Sequence, residues 1–254
     1  MICGALDQSN VQAGSDSRTS MYEVDGIHVI RINEPYANKM STWRRAMAFG
    51  RFARSATRII KKLHTDVVFA TSTPLTVGIP GMKGARYLGV PFVFEVRDLW
   101  PEAIISLGYK NPAVIWYLRR LGHTIYHAAH RIIALSFGIK EGICRTGYPD
   151  EHVTVVPNSS DIDLFKPCAD KTLDERFGAP NDFRLIVTGA NGLDAVLDAA
   201  AELKRRVGAG IKFVFTGQGR ERERLIQRSR DEGLHRLFAG LIRCQNMSWL
   251  RYCP

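Results

Sequence analysis

Residues 91–102 read PFVFEVRDLWPE, and this stretch decides the fold. Its first six residues are almost entirely apolar, which is typical of a strand buried inside a parallel sheet. Arg97 and Asp98 follow directly, at the carboxyl end of the strand, where open α/β sheets bind their ligands. The stretch therefore predicts a buried strand with a polar site at its end.

Similar apolar runs alternate with segments of helical period along the chain. Further strands are predicted over 26–32, 66–70, 131–135 and 153–156, and helices over 41–64, 76–88, 111–129 and 137–146. This alternation indicates an α/β fold built on a parallel sheet. A proline- and turn-rich linker over 157–181 precedes a second unit, which has strands over 183–188 and 211–215.

We therefore predict two Rossmann-like, doubly wound domains, over residues 1–160 and 178–254. The second has only two full strand–helix units and the start of a third. A doubly wound domain usually needs about five or six strands to bury both faces of its sheet. We expect the second domain to be incomplete and the first to lack part of its front.

The composition argues against a disordered, a membrane-spanning or a secreted protein. The chain of 254 residues is 45% hydrophobic and 24% charged, which is typical of a globular protein rather than a disordered one. No apolar run approaches the ~20 residues of a membrane span, and the N-terminus is too quickly polar for a signal peptide. Five scattered cysteines without a Cys-x-x-Cys pair indicate reduced thiols in a cytosolic protein.

Two groups of polar residues follow predicted strands. Thr71, Ser72 and Thr73 offer hydroxyls and backbone N–H groups to an anion or a sugar, or else form an ordinary helix cap. Asp98 can accept hydrogen bonds from sugar hydroxyls, or it can form a purely structural pair with Arg97. Both alternatives stay open from the residues alone.

Four short motifs give these positions a family context. They read FATSTP at 69–74, EVRDLWPE at 95–102, ALS at 134–136 and PNSSDIDLF at 157–165. In this order they resemble the family-4 glycosyltransferases that build bacterial envelope polysaccharides such as capsule and O-antigen. The resemblance implies a two-domain GT-B fold and retaining transfer of a sugar from a nucleoside-diphosphate donor, a UDP-sugar. It also implies a polyprenyl-linked or polysaccharide acceptor, no cofactor and no metal ion.

The resemblance also assigns roles to residues. It implies catalytic roles for Arg97 and Asp98, and substrate binding by Thr71, Ser72, Thr73, Glu95 and Asn158. Two glycine-rich loops of the second unit resemble the family's donor-nucleotide loops, through Gly189, Asn191, Gly192, Gly217 and Gly219.

The sequence departs from the family pattern in several places. Ser159 stands where the hinge motif usually has glycine, and the loop at 189–192 is several residues shorter than its relatives. Neither the family's basic pair nor its glutamate pair is recognisable, and no glutamate follows Glu232. The alternative is therefore a catalytically inactive remnant that retains weak nucleotide or membrane binding.

The net charge of +10 predicts an attraction to polyanions. Residues 41–64 hold seven basic residues, no acidic one, and apolar residues at helical spacing: Trp43, Met47, Phe52, Ala56, Ile59 and Leu63. Such a helix favours an anionic membrane surface, and places the protein on the cytoplasmic face of the cell membrane. The alternative is that the apolar face packs on the sheet and the charges are merely solvated. No nucleic-acid-binding module accompanies the charge, so we expect no nucleic-acid partner.

Overall fold

The computed structural model of the protein describes residues 1–4, 19–35, 40–72, 74–106, 108–163, 183–188, 192–207, 211–216, 222–234 and 238–242. The chain divides into two compact units, Met1–Asn158 and Ser159–Pro254. The linker predicted over 157–181 lies largely outside the described residues, and the domain limits of 1–160 and 178–254 stay predictions.

A four-stranded parallel sheet forms the core of the first unit. It consists of β4 (Val68–Thr71), β5 (Phe92–Val96), β6 (Arg131–Ala134) and β7 (Val153–Val155), paired in that order. Phe94 and Val96 of β5 are fully buried, because helices cover the sheet on which they lie. The predicted parallel α/β architecture is confirmed here.

A smaller sheet opens the same unit. Strand β1 (Ile2–Gly4) pairs in parallel with β3 (Ile27–Ile32), which pairs antiparallel with β2 (Thr19–Val24). Asp25 and Gly26 join β2 to β3 with backbone φ angles of 50° and 78°, the positive values that a tight hairpin turn of the I′ type requires. The strand over 26–32 is confirmed, whereas its hairpin partner β2 is not part of the sequence-based prediction.

Five helices are found in the part of the first unit that the structure describes. They are α1 (Thr42–Ile60), α2 (Gly78–Leu88), α3 (Glu102–Ser106), α4 (Pro112–Ala128) and α5 (Phe137–Cys144). Short 3-10 turns precede α2 at Leu75–Val77 and β7 at Asp150–His152. The side chain of Asn111 caps α4 by accepting hydrogen bonds from the backbone N–H groups of Ala113 and Val114. Pro112 at the first helical position loses no hydrogen bond, so the helix has a well-defined start at this residue.

Helix α2 packs through three glycines spaced three residues apart. A Cβ atom added at Gly78 would meet Ile125 of α4, and one added at Gly84 would meet Ile60 of α1. Gly81, between them, lies directly on the sheet. Positions three residues apart differ by about 60° around a helix axis, so these glycines face α4, the sheet and α1 in turn. Helix α2 is therefore the middle of a three-helix layer.

Helix α1 buries less of its apolar sequence than predicted. Its buried side chains are the small ones of Ala48, Ala53 and Ala56. Trp43 is 73% exposed and Met47 is also exposed, so the large residues at the start of the helix do not pack on the protein. The predicted apolar face is thus only partly a packing face.

The described residues of the second unit form three parallel strands and two helices. Strands β8 (Phe183–Thr188), β9 (Ile211–Thr216) and β10 (Phe238–Ile242) pair in the order β10-β9-β8. Helix α6 (Leu193–Val207) and helix α7 (Arg222–Asp231) connect them. A separate core gathers around Leu197, Phe213 and Leu234.

Candidate functional site at the carboxyl edge of the first sheet

The turns that follow β4 and β5 meet at one edge of the sheet. Thr71 lies beside Glu95 in the strand ladder, and the backbone N–H of Ser72 donates to the Glu95 carbonyl at 2.8 Å. The Thr71 side chain is exposed, and that of Glu95 is half-buried. The parallel register therefore brings Glu95 beside Thr71 and Ser72, which lie more than 20 residues earlier in the sequence.

Ser72 ties the two turns together. Its side chain is only 1% exposed, and its hydroxyl oxygen accepts a hydrogen bond of 2.9 Å from the backbone N–H of Arg97. Because the Ser72 side chain is buried, its hydroxyl contacts the protein and is not open to solvent. Ser72 thereby fixes the backbone from which Arg97 and Asp98 project.

Arg97 and Asp98 are both exposed at this edge. Their side chains are a guanidinium and a carboxylate, and they lie at the same sheet edge as the exposed Thr71. This set can donate to a phosphate or carboxylate and accept from sugar hydroxyls.

A buried layer lies beneath the Arg97–Asp98 turn. The carbonyl of Trp100 lies over Gly122 of α4, where an added Cβ atom would sit 3.6 Å away, and the ring of Tyr126 lies beside it. Burial, with a smaller contribution from the nearby carboxylate of Glu102, raises the pKa of Tyr126 to about 12. The phenol therefore stays protonated at physiological pH.

Two more strands end at the same edge. Ser136, after β6, caps α5 through its hydroxyl oxygen, which accepts from the N–H of Ile139 at 3.2 Å. Asn158 follows β7 and is exposed. Phe137 is also exposed, directly after the cap, and offers an aromatic face that the sequence analysis missed. The sequence signal that could have identified Phe137 is its position between a strand and a helix, where an apolar side chain is not expected to be buried.

The second unit presents the start of α6. Gly192 precedes the helix with a φ of 75°, a left-handed conformation that favours glycine. Asp194, in the first turn, accepts hydrogen bonds from Arg224 at 2.6 Å and Arg228 at 2.8 Å. The two arginines offset the carboxylate charge, and they hold the pKa of Asp194 down at about 2.

Several predicted site residues lie outside the described residues. They are Thr73 of the first unit and Gly189, Asn191, Gly217 and Gly219 of the second. The structure thus groups Thr71, Ser72, Glu95, Arg97 and Asp98, and puts Asn158 at the same sheet edge.

Features typical of metal binding and of membrane spans are not found among the described residues. Within the described ranges, no group of three or more histidine, cysteine, aspartate or glutamate side chains is placed to hold a metal ion. None of the helices described is both long enough and apolar enough to cross a membrane.

Known structures share this fold. HepE of Anabaena, solved in complex with UDP and glucose, matches with a TM-score of 0.60 and 16% identity, over 86% of this chain and 56% of its own. Sucrose-phosphate synthase of Thermosynechococcus elongatus matches with a TM-score of 0.66 and 13% identity, over 90% and 57%. UDP-N-acetylglucosamine 2-epimerase of Rickettsia bellii matches with a TM-score of 0.50 and 15% identity, over 87% and 56%.

These matches confirm the predicted α/β fold of the GT-B type. The chain spans a little over half the length of each of these structures. Since an epimerase is among them, the fold does not by itself decide the reaction. No protein of curated function matches the sequence significantly.

The sequence also matches a family model. The model describes a glycosyl transferase 4-like domain and covers residues 5–159, more than half of the chain and all the strands of the first unit after β1. By this match, the protein belongs to the glycosyltransferases with a 4-like domain.

Proposed function

We propose that the protein is a retaining glycosyltransferase. It moves a sugar from a nucleoside-diphosphate donor, a UDP-sugar, to a polyprenyl-linked or polysaccharide acceptor in envelope glycan synthesis. The observation that carries the proposal is the joined pair of turns after β4 and β5, which exposes Arg97 and Asp98 at the carboxyl edge. The family match and the UDP and glucose bound by HepE support it.

Each site residue has a role in this proposal. Asp98 accepts hydrogen bonds from the acceptor sugar and positions its hydroxyl, while Arg97 offsets negative charge that develops during transfer. Thr71, Glu95 and Asn158 bind the sugars. Ser72 supports Arg97 from beneath.

The chemistry needs a good leaving group more than a strong base. The bond between the anomeric carbon and the diphosphate oxygen breaks, a bond from that carbon to the acceptor hydroxyl oxygen forms, and the hydroxyl proton passes to the departing diphosphate. Backbone N–H groups at a helix start stabilise the departing diphosphate without a metal ion. We expect the loops with Gly189, Asn191, Gly192, Gly217 and Gly219 to supply such groups.

The proposal includes a place in the cell. The basic helix α1 holds the protein on the anionic cytoplasmic face of the cell membrane, where a lipid-linked acceptor is found. No nucleic acid is involved.

A transfer assay tests the proposed reaction. The protein is incubated with a panel of UDP-sugars and a polyprenyl-diphosphate-linked sugar, and release of UDP and labelling of the lipid are measured. We expect Asp98→Asn to lower the rate at least about a hundredfold, because the positioning of the acceptor is lost. Asp66→Asn is the matched control: Asp66 is exposed before β4, at the opposite edge of the sheet. Equal effects of both changes would contradict the site.

The second candidate is a catalytically inactive remnant that binds nucleotide or membrane weakly. The observation that favours it is the departure of the chain from its family pattern, with Ser159 in place of the hinge glycine. It predicts UDP binding without transfer to any acceptor from any donor in the panel. Transfer that depends on Asp98 rules it out.

A further inference from the structure

The positive charge of the protein is confined to one segment. Residues 41–140 contain 15 lysines and arginines but only four acidic residues, a formal charge of +11. The remaining residues contain 20 basic and 21 acidic side chains, and are therefore almost neutral at −1. The net charge of +10 is thus a local property and not a general one.

The four acidic residues of this segment all lie outside α1, α2 and α4. Asp66 precedes β4, while Glu95, Asp98 and Glu102 lie in or after β5. Helices α1, α2 and α4 contain no acidic residue at all. Their exposed basic side chains include Arg44, Arg54 and Arg58 on α1, Lys83 and Arg86 on α2, and Arg119 and Arg120 on α4.

These three helices form one layer. Because Gly78 and Gly84 put α4 and α1 on either flank of α2, the outer sides of the helices are neighbours. Their basic residues are therefore parts of a single surface to which the three helices contribute no acidic side chain, although Arg51 of α1 pairs with Glu34, which precedes the helix. We call it the basic layer.

Large aromatic side chains stand exposed on the basic layer. Trp116 and Tyr117 of α4 are 66% and 53% exposed, Tyr87 of α2 is 63% exposed, and Trp43, in the first turn of α1, is exposed as well. The ammonium group of Lys61 lies 4.5 Å from the centre of the Tyr87 ring. Exposed tryptophan and tyrosine beside lysine and arginine are typical of surfaces that lie at the headgroup level of a bilayer.

We infer that the basic layer, and not α1 alone, docks the protein on an anionic lipid bilayer, with Trp116 and Tyr117 of α4 as its aromatic anchors. Charge complementarity selects anionic lipid, since the three helices carry basic side chains and no acidic ones. The aromatic residues add a contact that does not depend on salt.

Docking in this way puts the candidate site beside the membrane. Helix α4 begins on the side of the sheet where β5 ends, because it must carry the chain back to the start of the parallel strand β6. At 1.5 Å per residue, Trp116 lies only about 6 Å along the helix from Pro112. The anchors are therefore near the carboxyl edge that carries Arg97 and Asp98. The inference deepens the membrane association proposed above, but binding itself does not require sugar transfer.

Vesicle co-sedimentation tests the inference. The full chain is mixed with vesicles of phosphatidylcholine alone or with added phosphatidylglycerol, and we expect binding only to the anionic ones. Each nearby basic residue strengthens such binding about fivefold, so Arg119→Gln with Arg120→Gln should lower it roughly thirtyfold. Arg205→Gln with Arg206→Gln is the matched control, an exposed arginine pair on α6, and should change binding less than about twofold.

A second variant tests the anchors independently. Trp116→Ala with Tyr117→Ala should weaken the part of binding that persists at high salt, while the salt-sensitive part remains. Equal loss in the α4 and α6 arginine variants would overturn the inference, because it would indicate a general charge effect. So would equally tight, Arg119-dependent binding to duplex DNA, or no binding to anionic vesicles. If vesicle binding fails while transfer to a soluble acceptor persists, only the docking surface is wrong.

Discussion

Replacing Gly81 by alanine tests the packing that sets the three-helix layer on the sheet. The added Cβ atom would lie 2.6 Å from Cε2 of Phe92 and 3.1 Å from the Cβ atom of Ala70. Phe92 is buried in β5, so the ring has little room to move and α2 must shift away from the sheet. Overpacking of this kind costs about 1–3 kcal/mol, and the better helix propensity of alanine returns up to about 1 kcal/mol. We expect a net loss of about 1–2 kcal/mol.

Gly50 provides the matched control for this change. It also lies inside a helix, α1, but a Cβ atom added there has nothing within 4 Å. Gly50→Ala should therefore stabilise the protein by about 0.5–1 kcal/mol through helix propensity alone. Urea unfolding followed by tryptophan fluorescence compares the two variants with the parent chain. If Gly81→Ala is as stable as Gly50→Ala, the helix does not rest on the sheet as described.

Further predictions concern the turns after β4 and β5 and the second unit. Ser72→Ala leaves the N–H of Arg97 without its side-chain acceptor, so stability should fall by about 1–3 kcal/mol, whereas Thr71→Ala should change it by less than about 0.5 kcal/mol. Both are measured by urea unfolding, and equal losses would contradict the role of Ser72. The pKa of Asp194 is lowered to about 2 from its ordinary value of 3.8. Its ion pairs with Arg224 and Arg228 therefore stabilise the fold fully above pH 3.8, and this stabilisation is lost as the pH falls to about 2. The melting temperature should drop over this pH range, and a drop of the same size in Asp194→Asn would refute the assignment.

Much of the fold was predictable from local patterns. The apolar run at 91–96 identifies β5 because a strand covered by helices must be apolar on both faces. Asn111 and Pro112 identify the start of α4 because each satisfies a requirement of the first helical turn. In both cases the element can be identified because a few neighbouring residues determine its local structure.

Other features depend on contacts that the sequence does not display. Strand β2 is mostly exposed and carries no apolar pattern, although the Asp25-Gly26 turn is a hairpin signal that would have revealed it. The hydrogen bond from Arg97 to Ser72 depends on the register between β4 and β5, which spans 25 residues of sequence. The exposure of Trp43 could not be foreseen, because helical spacing does not say which large residues find a partner.

Hydrogen exchange in the presence of ligand tests most directly whether the carboxyl edge of the first sheet receives the sugars. We expect a UDP-sugar together with an acceptor analogue to slow amide exchange at 72–77 and 97–100, after β4 and β5. We expect no change at 62–67 and 89–91, before the same two strands. Protection of the second pair of segments without the first, under conditions in which the ligands bind, would contradict a sugar site at this edge.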